Sequence, residues 1–210
     1  MAISSVGKIL EDYSLKKLFQ VYGFGASLPE GTVSHHFAIN DHPLNAYCQE
    51  VGGVLAAYKS CLNKVKLHEA AKFSPSINHL AQEAKIYVDG NQYFILMIVS
   101  DGIIIDLEET KSAIVDASFL PISIIIVGVG NGDFSAMKEL DGDVNIVTDD
   151  KGRVASRDIV QFVAIRDFSK CEDPFSLCSR VNLAKEVLDE IPEQLTGFMK
   201  SRKIVPSLAK

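Results

Sequence analysis

The sequence predicts an α/β protein with a doubly wound, mostly parallel sheet flanked by helices. Short apolar, β-branched runs alternate with amphipathic stretches of helical period. Residues 93–99 and 121–127 are almost continuously apolar, which is typical of strands covered by helices on both faces. We therefore predict one domain over residues 1–200 and a flexible tail at 201–210.

The individual elements follow from these patterns in chain order. We predict a strand at 18–24 and a short edge strand at 32–39. A helix follows over 51–65, and a second begins with Ser74 as N-cap and Pro75 in its first turn. The apolar strand at 93–99 comes next.

In the second half, Asp106 begins a capping-box-like helix that ends near Phe119. After the strand at 121–127, Asp133 is expected to cap a short helix. A last strand is predicted at 159–163. A final long helix is expected to open at Asp173-Pro174.

Composition excludes some classes of function. Hydrophobic residues make up 47% of the chain and charged residues 23%, with a net charge of −6. No dense Lys/Arg cluster occurs, so nucleic-acid binding is not expected. The sequence shows no signal peptide and no apolar stretch that could cross a bilayer. None of the cysteines has C-x-x-C spacing. We predict a cytoplasmic location.

Three loops should carry any chemistry, because ligands of open parallel sheets bind at the carboxyl ends of the strands. They contain Gly25 and Ser27, then Asp101, then Gly128 to Asp133. The last has G-x-G-x-G spacing. This spacing differs from the dinucleotide pattern and favours a tight turn. Asp101 follows a buried strand, so it fits either an Mg²⁺ ligand or a carboxylate that accepts backbone N–H groups.

Catalysis receives little support. His35 and His36 are adjacent, so on a strand they would point to opposite faces. His79 is interpreted as structural or exposed. Gly-x-Ser-x-Gly and His-Glu-x-x-His motifs are absent. An acid–base pair could be formed by Asp101 and Asp106, but carboxylates are common at helix starts. The alternative is a small metal- or nucleotide-dependent hydrolase using Asp101 and the loop from Gly128 to Gly132.

Several longer motifs resemble the copine family. They are Gly23-Phe-Gly-Ala-Ser-Leu-Pro29, Phe73-Ser-Pro75, Leu120-Pro-Ile-Ser-Ile-Ile-Ile-Val-Gly-Val-Gly-Asn131 and Arg157-Asp-Ile-Val-Gln-Phe-Val163. The resemblance extends from about residue 4 to residue 200. It implies a von Willebrand factor A-type domain, which binds proteins at the carboxyl ends of its strands and often holds a divalent ion in a metal-ion-dependent adhesion site.

The chain departs from the family pattern at this metal site. No D-x-S-x-S motif occurs, and Ala71 stands where the family has a threonine ligand. Lys72 adds a positive charge beside it. Asp101 is the only ligand that matches the family, so we expect a degenerate site, no specific Mg²⁺ binding and no cofactor.

The resemblance therefore predicts a protein–protein interaction module rather than an enzyme. Direct membrane binding is not expected, because the family's two Ca²⁺-dependent phospholipid-binding modules do not match any part of this sequence. Ubiquitin-ligase activity is not expected either, because no Cys/His zinc pattern is present. The predicted partner-binding loops contain Gly25, Ser27, Lys72, Ser74, Asp101, Asp106, Asn131 and Asp133.

The family's first, central strand also has no match. We expect either that the strands at 18–24 and 93–99 pair directly, or that an unpaired strand edge associates with a second chain.

Overall fold

The computed structural model describes residues 2–68, 71–142, 145–168 and 177–205, with the backbone alone described at 177–180. Its helices are α1 (Ala2–Glu11), α2 (Glu50–Leu62), α3 (Ser74–Ala84), α4 (Leu107–Ala117), α5 (Ser135–Leu140), α6 (Leu177–Leu188) and α7 (Ile191–Ser201). Its strands are β1 (Leu18–Gln20), β2 (Tyr22–Gly23), β3 (Ala26–Ser27), β4 (Val33–Ser34), β5 (Phe37–Ala38), β6 (Tyr47–Gln49), β7 (Lys66–Leu67), β8 (Phe94–Ser100), β9 (Ile122–Gly128) and β10 (Val160–Ala164).

The centre of the fold is a parallel sheet of three strands in the order β10-β9-β8. Its register places Leu96 opposite Ile124 and Val163 opposite Val127. Parallel strands need a crossover, and α4 and α5 lie in the two connections. The α/β class and the strands predicted at 93–99, 121–127 and 159–163 are confirmed within one residue at each end.

Helices cover both faces of this sheet. On one face, Ile98, Ile124 and Ile126 belong to a core that includes residues of α3, α4 and α5. On the other face, Ile125 and Val127 pack in a core with residues of α1, α6 and α7. Each fully buried isoleucine stabilises the fold by about 1.5–3 kcal/mol. Burial on both faces explains why these strands read as continuous apolar runs.

The N-terminal half is built differently from the prediction. Residues 18–24 form two short strands: β1 pairs antiparallel with β6, and β2 pairs antiparallel with β5. They do not pair with β8, so the expected direct pairing of 18–24 with 93–99 is wrong. Val21 donates its N–H to Ala46 and accepts the N–H of Ile39, at 3.0 and 3.3 Å. Its backbone groups are therefore engaged on the side of β5 and β6.

The prediction of a mostly parallel sheet is therefore confirmed only for the three long strands. The other named strands of the described residues form short antiparallel pairs. These pairs hold the segments between α1 and α3 against the rest of the fold. For example, α2 packs on α1, β1 and β6.

Two predicted helix boundaries also need correction. Ser74 is the first residue of α3 rather than its N-cap, and Phe73 occupies the cap position. The predicted final long helix is two helices, α6 and α7, with Pro192 in the first turn of α7. Proline suits a helix start and disfavours continuation of the preceding helix. Asp173 and Pro174 lie outside the described residues, as do 206–210.

Candidate functional site

The carboxyl ends of the three parallel strands lie along one edge of the sheet. Ser100, Gly128 and Ala164 end β8, β9 and β10, and the segments after them meet at this edge. Parallel strands present their carboxyl ends together because crossover connections return each strand in the same direction. We call the segments 71–74, 101–106 and 131–134 the edge loops.

Two edge loops are packed backbone against backbone. Gly102 has a φ of +103°, and a Cβ atom placed there would lie 2.5 Å from the carbonyl oxygen of Asp133. A Cβ on Gly132 would collide with the carbonyl oxygen of Asp101. Only glycine permits this approach. The contact fixes the loop after β8 against the loop after β9.

Asp106 ties the edge loop 101–106 to the edge loop 71–74. It is 2% exposed, and its carboxylate accepts the N–H groups of Phe73 at 3.1 Å and Ser74 at 3.0 Å. Asp106 therefore caps α3, which begins at Ser74. The start of α4, the helix that directly follows Asp106 in the chain, shows no side-chain cap. Ile105 adds a backbone bond to Ala71 at 3.0 Å.

Arg166 places a cation beside the loop after β9. Its Nη1 donates to the carbonyl oxygen of Gly132 at 2.9 Å, and its guanidinium carbon lies 4.6 Å from the ring centroid of Phe134. The ring face attracts the cation electrostatically. This arrangement orients Arg166 along the carboxyl edge.

Ile103 and Ile105 are the most unusual residues of this edge, with 59% and 57% of their surfaces exposed. They stand on a loop that the contacts of Gly102 and Asp106 hold in place. Sequence reasoning missed both. The available signal was an apolar run, Ile103-Ile-Ile105, outside any predicted strand.

The predicted partner-binding residues differ in exposure. Asp101, Asn131 and Asp133 are exposed, and Lys72 and Ser74 are half-buried. Gly25 is buried with a φ of +64°. Ser27 lies in β3, paired with Val33 and Lys66. Gly25 and Asp106 are therefore buried residues that shape the loops, whereas the side chains of the other predicted partner-binding residues reach solvent.

Asp133 was predicted to cap the short helix, but Phe134 occupies the cap position of α5 and Asp133 lies one residue before it. Its carboxylate accepts the hydroxyl and the backbone N–H of Ser135, at 2.6 and 2.9 Å, beside the first turn of α5. These bonds lower the pKa of the Asp133 carboxyl below its usual value, and the bond from the Ser135 hydroxyl has the larger effect. Its negative charge is therefore fixed at the exposed edge.

The groups near Asp101 bear on whether an Mg²⁺ ion could bind at this edge. The exposed Asp101 carboxylate accepts the N–H of Ile103 at 3.3 Å. Asp106 is committed to two backbone N–H groups, and Ala71 has no side-chain oxygen. No cluster of three or more His, Cys, Asp or Glu side chains suited to a metal ion occurs in the described part of the chain. Mg²⁺ requires near-octahedral oxygen ligation.

Gly128, the last residue of β9, allows close packing of two aromatic rings. A Cβ on Gly128 would lie 2.9 Å from the ring of Phe134 and 3.0 Å from the ring of Phe162. This close approach explains why glycine ends β9. The acid–base pair considered for Asp101 and Asp106 is also disfavoured, because Asp106 is buried and already accepts two N–H groups.

His36 and His79 form a cluster with Tyr22 beside α3. The ring of His36 stacks on Tyr22 with centroids 4.1 Å apart and lies 4.5 Å from the ring of His79. Tyr22 Oη lies 3.1 Å from Nε2 of His79. Burial, and then the charge of His79, lower the pKa of His36 to about 4. The cluster joins β2 to α3.

The described residues thus define an α/β protein with a helix-covered parallel sheet and a rigid, partly apolar loop cluster at its carboxyl edge. None of their helices is both long and apolar enough to cross a membrane. A family model described as Copine matches residues 1–207. The chain belongs to the copine family, which confirms the resemblance seen in the motifs.

Proposed function

We propose that this chain is a protein–protein interaction module of von Willebrand A-like type, and that the edge loops are its docking face. The single observation that carries the proposal is the pair Ile103 and Ile105, both more than half exposed on an otherwise well-anchored loop. Apolar side chains rimmed by charge are typical of interaction sites. Asp101 and Asp133 provide that rim on the same edge.

Rigidity supports this assignment. A docking loop that is already ordered loses little conformational entropy on binding. Here the backbone packing of Gly102 and Gly132 and the hydrogen bonds of Asp106 fix the loop before any partner arrives. Family membership is consistent with an interaction module.

We further propose that docking does not depend on a specifically bound metal ion, and that the chain is not an enzyme. The hydrogen-bonded carboxylate of Asp106 and the lack of a side-chain oxygen on Ala71 support docking without a bound metal ion. The occupied carboxylate of Asp106 and the packing role of Gly128 leave the hydrolase alternative without a supporting arrangement of groups. Cytoplasmic location remains a prediction.

The test is quantitative capture of partners from a cell lysate followed by mass spectrometry. The double variant Ile103→Asp, Ile105→Asp is compared with wild type and with Ile86→Asp. Ile86 is 75% exposed and follows the C-terminal end of α3, at the opposite end of that helix from the edge loops. All three proteins are first checked for equal folding by circular dichroism.

A central contact residue commonly contributes more than 1 kcal/mol. We therefore expect the double variant to lose its specific partners by tenfold or more, while Ile86→Asp retains them. A partner set that the double variant retains in full would overturn the assignment of this face.

A further inference from the structure

Asn131 and Gly132 form the only Asn–Gly pair in the sequence. In such a pair the backbone nitrogen of the glycine readily attacks the side-chain amide of the asparagine. Glycine favours this reaction because it places no Cβ atom beside the attacking nitrogen and permits the backbone rotation that the attack requires. The pair lies in the edge loop 131–134, between the end of β9 and the start of α5. Its reactivity therefore concerns the carboxyl edge of the sheet.

The two groups that take part in this reaction are free of protein partners. Asn131 and Gly132 are both exposed. Within the described residues, no hydrogen bond engages the side-chain amide of Asn131 or the backbone N–H of Gly132. Most backbone N–H groups have a partner, so this free nitrogen stands out beside a free amide. No hydrogen bond has to break before the nitrogen reacts.

Two Asp–Gly pairs of the chain lack this freedom. In one pair, the N–H of Gly90 donates to the carbonyl oxygen of Tyr87 at 3.0 Å. In the other, the N–H of Gly102 donates to the hydroxyl of Ser100 at 3.1 Å. A nitrogen whose proton is held in a hydrogen bond is fixed in place and is a poorer nucleophile. Gly132 differs from both, because its nitrogen is free to turn towards the amide carbon.

The chain on the two sides of Asn131 is packed differently. Gly130 has a φ of +79°, and a Cβ placed there would meet no atom within 4 Å. This open side gives the peptide unit of Asn131 room to rotate. Gly132, in contrast, packs against the carbonyl oxygen of Asp101 so closely that a Cβ atom would collide with it. Room for the reaction and a tight contact that reports its product therefore lie next to each other.

We propose that Asn131 deamidates through a succinimide formed with Gly132, and that the isoaspartate product displaces the edge loop. The backbone nitrogen of Gly132 loses its proton and attacks Cγ of Asn131, so that an N–Cγ bond forms. The Cγ–Nδ2 bond then breaks, and the side-chain nitrogen takes up a proton and leaves as ammonia. Water opens the cyclic imide at either carbonyl carbon, which leaves an aspartate or an isoaspartate at position 131.

Both products change the charge of this edge, and one of them also changes its backbone. Each adds a carboxylate beside the exposed Asp101 and Asp133. The isoaspartate also lengthens the main chain by a methylene next to Gly132. Because the contact between Gly132 and Asp101 has no spare room, the longer chain separates the two loops. The effect on partner binding rests on the docking face proposed above, whereas the reaction and the displacement do not.

Peptide mass spectrometry of the whole chain, incubated at physiological temperature and pH, measures the reaction. Electron-transfer fragmentation distinguishes isoaspartate from aspartate. The internal control is Asn145, which is also exposed but is followed by the β-branched Ile146. We expect modification at position 131 to be about tenfold faster or more, since a tenfold rate difference needs only about 1.4 kcal/mol of barrier. The rate should rise with pH, because the attacking nitrogen must lose a proton.

Two variants separate the reaction from its consequences. Asn131→Gln keeps an amide but forms its larger cyclic imide slowly, so it should stay unmodified. Asn131→Asp adds the charge without the methylene. The N–H groups of Gly102 and Ile103, which are hydrogen-bonded within the neighbouring loop, report the displacement by hydrogen–deuterium exchange. We expect faster exchange at both in the isoaspartate form of the wild type, but not in fresh Asn131→Asp. Conversion of isoaspartate to aspartate by an isoaspartyl methyltransferase should restore slow exchange.

Two results would overturn the proposal. One is modification of Asn131 no faster than that of Asn145, while a free peptide of residues 128–135 deamidates rapidly; the folded loop would then block the attack. The other is unchanged exchange at Gly102 in the isoaspartate form, which would show that the loop is not displaced. The double variant Ile103→Asp, Ile105→Asp should deamidate as the wild type does, so failure of this proposal is distinguishable from failure of the docking face.

Discussion

Oδ2 of Asp106 accepts the backbone N–H of Ser74 at 3.0 Å, so the residue that precedes α4 caps the start of α3. The first N–H groups of a helix have no partner within the helix, and here a buried carboxylate from another loop satisfies two N–H groups at once. This contact joins the start of α3 to the loop that carries Ile103 and Ile105. Stability and the shape of the docking face are therefore linked.

Removing this cap should destabilise the fold. We expect Asp106→Ala to lower the free energy of unfolding by about 2–3 kcal/mol, because it leaves the N–H groups of Phe73 and Ser74 without an acceptor. Asp106→Asn keeps one acceptor oxygen and should lose less. Urea denaturation followed by circular dichroism measures both.

The matched control is Asp101→Ala, which removes an exposed carboxylate with one long hydrogen bond. It should change the free energy of unfolding by no more than about 0.5 kcal/mol. Equal losses from the two alanine variants would contradict the capping role of Asp106.

Metal titration tests the proposed independence from Mg²⁺. In isothermal calorimetry at millimolar Mg²⁺ or Mn²⁺, we expect no saturable binding and no difference between wild type and Asp101→Ala. One carboxylate with water molecules forms only a weak, unspecific site. A stoichiometric isotherm that disappears in Asp101→Ala would refute this expectation.

Two glycine substitutions should act in opposite directions. Gly102→Ala places a Cβ 2.5 Å from the Asp133 carbonyl oxygen at a φ of +103°, so we expect a loss of about 3 kcal/mol from strain and overpacking. Gly52→Ala lies inside α2 with no atom within 4 Å of the new Cβ. It should gain about 0.5–1 kcal/mol from helix propensity.

Thermal and urea unfolding of both variants provide the measurement. If Gly102→Ala were as stable as wild type, the two loops could not be packed as closely as described. The gain in unfolding free energy of Gly52→Ala serves as the internal standard for a glycine whose replacement changes only helix propensity.

The cluster around His36 predicts a dependence of stability on pH. Burial and the charge of His79 lower the pKa of His36 to about 4, whereas an unfolded histidine titrates near 6.5. Between these values the unfolded chain binds more protons, so stability falls as the pH drops from about 6.5 towards 4. Tyr22, Ser76 and Glu83 complete the polar groups around the pair.

The variant His36→Phe keeps a ring on Tyr22 but does not titrate. Its urea midpoint should fall less than that of wild type between about pH 7 and pH 5. The remaining slope includes His35, whose pKa is also lowered, chiefly by burial. Identical slopes in wild type and variant would show that His36 is not the group responsible.

Much of the central sheet could be predicted because its strands are long and buried on both faces. Periodicity reports burial, and it located β8, β9 and β10 well. It does not report the partner of a strand, so residues 18–24 were placed in the wrong sheet. The same limit applies to Asp106. It was predicted to cap the helix that directly follows it, but the N–H groups that it accepts lie 32 and 33 residues earlier in the chain.

The candidate site was only partly accessible from the sequence for the same reason. The strand ends located the loops that contain Asp101 and Asp133. The exposure of Ile103 and Ile105 depends on how Gly102 and Gly132 bring two backbones together. That approach is a tertiary feature, and no local pattern encodes it.

The most direct test of the central proposal is capture of partner proteins by the wild-type chain in EDTA and in Mg²⁺, side by side with the double variant Ile103→Asp, Ile105→Asp. We predict that the wild type retains the same proteins under both conditions and that the double variant loses them. Retention that requires Mg²⁺ and disappears in Asp101→Ala, with no effect of the isoleucine substitutions, would contradict a metal-independent apolar docking face.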